Sequence, residues 1–173
     1  METKWKIDTT HSQIGFKVKH MMFTTVSGTF DKYDATITTQ DDNFDNAKVE
    51  FSADAESVNT ANADRDQHLR SADFFNAEAN PKIEFNGTLV KSGSGYQLDG
   101  NLSMNGQTKK VALPVEFGGI MKDPWGNEKA VMAVEGKISR KDWGLTWNSA
   151  LEAGGVLVSD DVRVAIELQL VKA

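Results

Sequence analysis

The chain of 173 residues contains no cysteine. That excludes disulfides, thiolate nucleophiles, iron–sulfur clusters and thiolate zinc sites. It leaves the redox compartment undecided, because cytosolic and exported proteins alike do without cysteine. Long apolar runs are missing too: nothing approaches the roughly 20 residues of a membrane-spanning helix. Positive charge is in deficit, and a formal net charge of −6 argues against nucleic acid and anionic membrane surfaces as partners. The opening Met1-Glu2-Thr3-Lys4-Trp5 has no apolar signal core and passes at once into a strand pattern. A cytoplasmic protein without stable membrane insertion is therefore expected, unless a leader has been removed. With no repeat, low-complexity stretch or linker, residues 1–173 read as one domain.

Catalytic fingerprints are absent as well. There is no G-x-S-x-G, H-E-x-x-H, P-loop or Rossmann motif. The three histidines, His11, His20 and His68, are far apart and lack metal-ligand spacing, so neither a metal nor a cofactor is expected. Most acids have outward strand parity, with Asp8 and Asp73 the exceptions. The chain is not expected to be an enzyme. The alternative is an enzyme acting on an apolar substrate, with His68 and Asp73 as general base and acid.

What the chain does have is alternation. His11–Phe23 carries Ile14, Phe16, Val18, His20 and Met22 on one parity. Read as one strand, it reaches about 40 Å. Ser27-Gly28 suits a turn or bulge, and Thr29–Thr39 is a Thr-rich strand. Further strands are expected at Trp5–Ile7, Ala47–Val58, Ile83–Leu89, Tyr96–Met104, Val111–Phe117, Val131–Arg140 and Gly154–Lys172. Asn105-Gly106 is a strong hairpin signal. Gly118-Gly119 lets its strand bend, and Lys141–Trp147 reads as a turn. About eight strands joined mostly by hairpins must bury one face. Closing the sheet on itself does so with a single helix to spare, which gives an all-β, lipocalin-like antiparallel up-and-down barrel with one inserted helix.

That helix lies in Ala61–Phe85. Asn62 suits the N-cap, while Asp64 and Asp66 put negative charge in the first turn. Asp66 and Arg70 are spaced for an i,i+4 pair on the wet side. Arg65, His68, Leu69 and Ala72 share one face, and Phe74 and Phe75 follow directly. A short helix with polar groups on its buried side suggests a plug or lid. Arg140 ends an apolar-parity strand. For Arg65 and Arg140 two readings stand together: an ion pair with Asp8, Asp73 or another carboxylate, and a head-group contact at a pocket mouth. His20 is either a satisfied core histidine or a group at that mouth.

Inward parity is assigned to Phe16, Val18, Phe30, Phe51, Ile83, Phe85, Leu102 and Val164, with Phe74 and Phe75 beside them. These are candidate ligand-lining positions, together with His20, Arg65, His68, Leu69, Arg140 and Trp143. Any core contains such residues. A barrel with a polar-faced lid commonly holds an elongated apolar ligand.

The motifs then combine into a recognisable set. They are Asp8-x-x-His11-Ser12, Ile14-x-Phe16-x-Val18-x-His20-Met21 and Gly28-x-Phe30 in the first part of the chain. The central run is Arg65-Asp66-x-His68-Leu69-x-Ser71-x-Asp73-Phe74-Phe75, followed by Pro81-x-Ile83-x-Phe85. Arg140-x-Asp142-Trp143-Gly144-Leu145 and Val162-x-Val164-x-Ile166-x-Leu168 complete it. Across nearly its whole length the chain resembles the YceI-like family, polyisoprenoid-binding proteins of bacteria. The resemblance implies a lipocalin-like barrel that sequesters or carries a polyisoprenoid or isoprenoid quinone in an interior tunnel. Fatty acids or their amides would suit the same cavity. It also implies a possible homodimer and no motif with an agreed catalytic role. Many members are exported. A further alternative is a filled barrel acting through its surface, for instance in a stress response.

Overall fold

In the computed structural model, which describes residues 1–149, 151 and 155–173, eleven strand segments form one antiparallel sheet that closes on itself. They are β1 (Glu2–Ile7), β2 (Gln13–His20), β3 (Thr24–Phe30), β4 (Tyr33–Gln40), β5 (Asn43–Asp54), β6 (Val58–Asn59), β7 (Lys82–Ser92), β8 (Gly95–Met104), β9 (Gln107–Lys122), β10 (Glu128–Ser139) and β11 (Val158–Lys172). β1 pairs with both β4 and β11, which closes the ring. β2 continues the path of β1 along β11, and β3 and β6 extend the staves of β4 and β5. Three staves are thus broken in two, and the barrel has eight. The ring is closed through β1, while β3 meets its second neighbour, β6, at Thr29 and Phe30, and β10 parts from β9 after Val134.

Broken staves explain where simple parity fails. Residues 8–12 form a corner, spanning only positions 168–169 of β11. Asp8 holds this corner. Its carboxylate accepts from the Thr10 N–H (3.1 Å) and Lys129 Nζ (2.7 Å) and meets His11 Nδ1 at 2.8 Å. Lys129, then His11, draw the Asp8 pKa down from 3.8 to about 2 against the cost of burial. Ser12 Oγ accepts from Gln169 N–H, and Tyr33 Oη donates to the Ser12 carbonyl at 2.8 Å. The Asp8-x-x-His11-Ser12 motif is therefore a joint in the wall. Asp8 pairs with a lysine and not with either arginine.

The long strand expected at His11–Phe23 ends at His20, and a turn at Met21-Met22 follows. Ser27-Gly28 is neither turn nor bulge: it lies within β3, opposite Lys17 and Phe16. The Thr29–Thr39 stretch is split at Asp31-Lys32 between β3 and β4. At Gly118-Gly119 the register against β10 slips by one residue, so a bulge bends β9 there. The last strand begins at Val158; the expected start at Gly154 lies outside the described residues.

The helix α1 (Ala63–Arg70) starts at Asn62, whose side chain accepts from the Arg65 N–H at 3.0 Å. Asp66 is not on the wet side paired with Arg70. It is buried, because Thr60 offers its carboxylate both an N–H (2.8 Å) and an O–H (2.5 Å). Ala72 lies past the helix end and is exposed, so it does not share the helix face.

One end of the barrel is solid. Trp5, Phe44, Leu89, Ala130 and Leu170 are almost wholly buried there, and rings of Trp5, Phe44, Phe117 and Tyr96 pack in succession at 5.0–5.5 Å. Trp5 Nε1 donates to the buried Thr39 hydroxyl at 3.1 Å, so the indole is satisfied as well as packed. The chain termini and the hairpins after β4, β7 and β9 are at this end.

Candidate functional site

Towards the opposite end the interior is hollow. A cavity of about 540 Å³ runs from Ile37, Leu98, Leu113, Val134 and Leu168, next to the solid core, up to α1 and the β10–β11 connection. Its wall is almost entirely aliphatic and aromatic. It includes Phe16, Val18, Phe30, Phe51, Leu69, Phe74, Phe75, Ile83, Phe85, Leu102 and Val164, and at its mouth His20, Arg65, His68 and Arg140.

Two Phe–Gly arrangements keep this space open. Phe16 lies across from Gly28, where a Cβ would stand 2.4 Å from the phenyl Cζ. Phe85 reaches over the opposed pair Gly87 and Gly100, where a Cβ on either would stand 2.8 Å from its Cζ. Glycine lets each ring lie flat on the barrel wall instead of crossing the lumen. All three glycines carry inward parity; a Cβ on Gly28 meets side chains only, whereas one on Gly87 or Gly100 also meets backbone.

The mouth is built from Thr60, Arg65, His68 and His20, with different tasks. Thr60 is a hub: its Oγ1 donates to Asp66 and accepts from Arg65 Nε at 2.7 Å, and its carbonyl accepts from Arg65 Nη2 at 2.7 Å. This fixes the guanidinium at the cavity rim and leaves Nη1 without a protein partner among the described residues. His68 meets Asp73 Oδ2 at 2.9 Å through Nε2. Its ring stands edge-on to Trp147 (4.6 Å) and Phe74 (5.0 Å). His20 ends β2 at the same rim. Arg65 and His68 are thus held in place before any ligand arrives.

Arg140 differs from Arg65. It is 4 % exposed, and its donors are taken by backbone carbonyls: Nε by Ser159, Nη1 by Leu145 (2.6 Å) and Trp147 (2.9 Å), Nη2 by Val158. The Asp160 carboxylate stands 4.0 Å away. Burial lowers the pKa of the guanidinium, and Asp160 opposes that effect. Arg140 is therefore a bracket that ties the 145–147 segment to the start of β11, with four of its five N–H groups given to backbone carbonyls. Trp143 does not line the cavity. Its indole is buried behind the wall, where Nε1 donates to the Leu102 carbonyl at 2.8 Å.

Several wall residues were not among the sequence candidates. Leu98, Leu113, Val134 and Leu168 form the deep end, and their strand parity already pointed inward. Trp147, Leu157 and Val158 belong to the mouth, and no periodicity marks them because they lie in or next to an irregular connection.

The profile of the YceI-like domain matches residues 5–170. The chain belongs to the YceI-like family. It is 36% identical over 162 residues to a UPF0312 protein of Staphylococcus epidermidis, covering 93% of both chains. The YCEI protein of Campylobacter jejuni superposes with a TM-score of 0.76 at 32% identity, covering 96% of each chain. A polyisoprenoid binding domain from Saccharophagus degradans, implicated in plant cell wall breakdown, shares the fold with a TM-score of 0.70 at 16% identity, over 98% of each chain. The YceI-like motifs divide accordingly. Asp8, Ser12, Arg140 and Trp143 hold the wall together, while Phe16, Arg65, His68 and Phe85 face the space inside it.

Proposed function

We propose that this YceI-like barrel binds an elongated apolar lipid, of the polyisoprenoid or isoprenoid quinone type, and sequesters or carries it. The observation that carries this reading is the cavity itself: about 540 Å³, apolar along its length and polar only at its mouth. That volume lies within the range of about 300–1,000 Å³ typical of small-molecule sites. The tail lies along Phe16, Phe51 and Phe85, and the head group sits at Arg65, His68 and His20. Burying about 400 Å² of tail contributes about 10 kcal/mol before ordering costs. Arg65 Nη1 offers a hydrogen bond to a carbonyl or hydroxyl oxygen of the head group. The polyisoprenoid-binding relative of the same fold supports the ligand class.

Organic extraction of the purified protein followed by mass spectrometry tests the reading. A stoichiometric isoprenoid or quinone is the expected result. A fatty acid or amide would retain the cavity and replace the ligand. An empty extract, with no uptake of added quinone, would overturn the reading.

A further inference from the structure

The turn between β2 and β3 breaks the rule that the other hairpins follow. Met21 (φ 52°) and Met22 (φ 62°) both adopt left-handed backbone, and Phe23 N–H closes the turn on the His20 carbonyl at 3.2 Å. Two successive positive φ angles define a turn that favours Asn-Gly. Elsewhere among the described hairpins, the positive-φ turn positions are held by Asp41, Gly93, Asn105-Gly106 and Gly126. Methionine gains nothing from this backbone, and it is unfavourable for an L side chain. What the arrangement achieves is display: Met21 is 56 %, Met22 64 % and Phe23 84 % exposed, with Val156 also exposed. Met21 N–H bonds to the Leu157 carbonyl at 2.8 Å, so the tip is fastened to the mouth of the cavity, whose wall includes His20 and Leu157.

We propose that this tip docks the mouth of the barrel onto a lipid bilayer, so that an apolar ligand passes between membrane and cavity without crossing water; this rests on the lipid-binding reading above. A few apolar side chains at an apex suit shallow insertion into the bilayer interface. They fall far short of the roughly 20–30 residues a side of a stable dimer. Lys19 stands at the base of the tip, its Nζ held by Thr25 Oγ1 at 2.9 Å and the Phe23 carbonyl at 3.4 Å, a cation beside the apolar apex. With a net charge of −6, the chain draws its attraction from apolar insertion and not from overall charge.

The test replaces Met21→Asn, Met22→Gly and Phe23→Ser together, which installs the turn sequence the backbone favours and so preserves folding. Co-sedimentation with phosphatidylcholine vesicles is read without ligand; the bound fraction is expected to fall about tenfold and to depend little on salt. Transfer of a long-chain ubiquinone out of those vesicles is expected to slow by a similar factor, read by quenching of tryptophan fluorescence. Uptake of the same ubiquinone from detergent stays unchanged, and Trp125→Ser, an exposed aromatic at the opposite end, changes neither readout. Vesicle binding or transfer equal to that of the parent chain overturns the docking. So does a triple variant that dissolves a dimer while leaving vesicle binding intact, which makes the tip a contact between copies. If neither protein takes up ubiquinone from detergent, the lipid-binding reading fails, and ligand-free co-sedimentation still decides the docking.

Discussion

The two ends of the barrel use the same inward alternation and come out differently. At the solid end, Trp5, Phe44, Leu89 and Leu170 interlock until almost no surface remains. At the hollow end, Phe16, Val18, Phe30 and Val164 point the same way yet stay partly accessible, because they face the cavity. The difference does not come from hydrophobicity. It comes from glycines over which aromatic rings lie, and from a helix segment that roofs the space without filling it. One end therefore holds the structure while the other is free to hold a ligand.

The largest effect should come from truncating the solid end. Leu89→Ala is expected to destabilise the fold by about 3–5 kcal/mol, whereas Val18→Ala, at the hollow end, costs less than about 1 kcal/mol. Urea unfolding measures both. Equal losses would mean that the two ends are packed alike.

A second substitution sharpens the account of why the lumen stays open. In Gly28→Ala the new methyl meets the Phe16 ring and the Thr60 methyl, side-chain atoms that can yield, so the ring lifts into the lumen. Ubiquinone affinity is expected to fall about tenfold, with about 1–3 kcal/mol of stability lost to strain. Unchanged affinity in titration would show that Phe16 does not set the width of the space. The corresponding change at Gly100 meets the backbone of Asn86 and Gly87 and reports on folding instead.

The smallest effect concerns a joint belonging to neither end. Because the Asp8 pKa is lowered from 3.8 to about 2, its contribution is complete above pH 4 and is lost as pH falls towards 2. The loss is about 1 kcal/mol after allowing for solvent screening. Asp8→Asn should remove this acid-dependent part of the unfolding curve. A variant and parent that lose stability in parallel between pH 4 and 2 would assign it elsewhere.

Much of this architecture was legible in the chain. Alternation identified the staves, and the break in that pattern at Ala61–Phe85 identified the helix and its Asn62 cap. What remained hidden had physical reasons. Strand parity has no memory across a corner, so the break at residues 8–12 was invisible. Met21-Met22 carries no turn propensity and read as strand. Arg140 and Arg65 look alike in sequence, yet one gives four of its N–H groups to backbone carbonyls while the other keeps Nη1 at the rim, a difference made by the 145–147 segment and the start of β11 that reach Arg140.

By itself the sequence determined the all-β barrel, the inserted helix and the set of inward apolar residues, because side-chain periodicity and turn chemistry are local properties. Only the tertiary structure decided that the interior is solid at one end and hollow at the other. Whether inward side chains meet depends on which residues stand opposite one another across the strands, and on whether a ring lies along the wall or across the lumen.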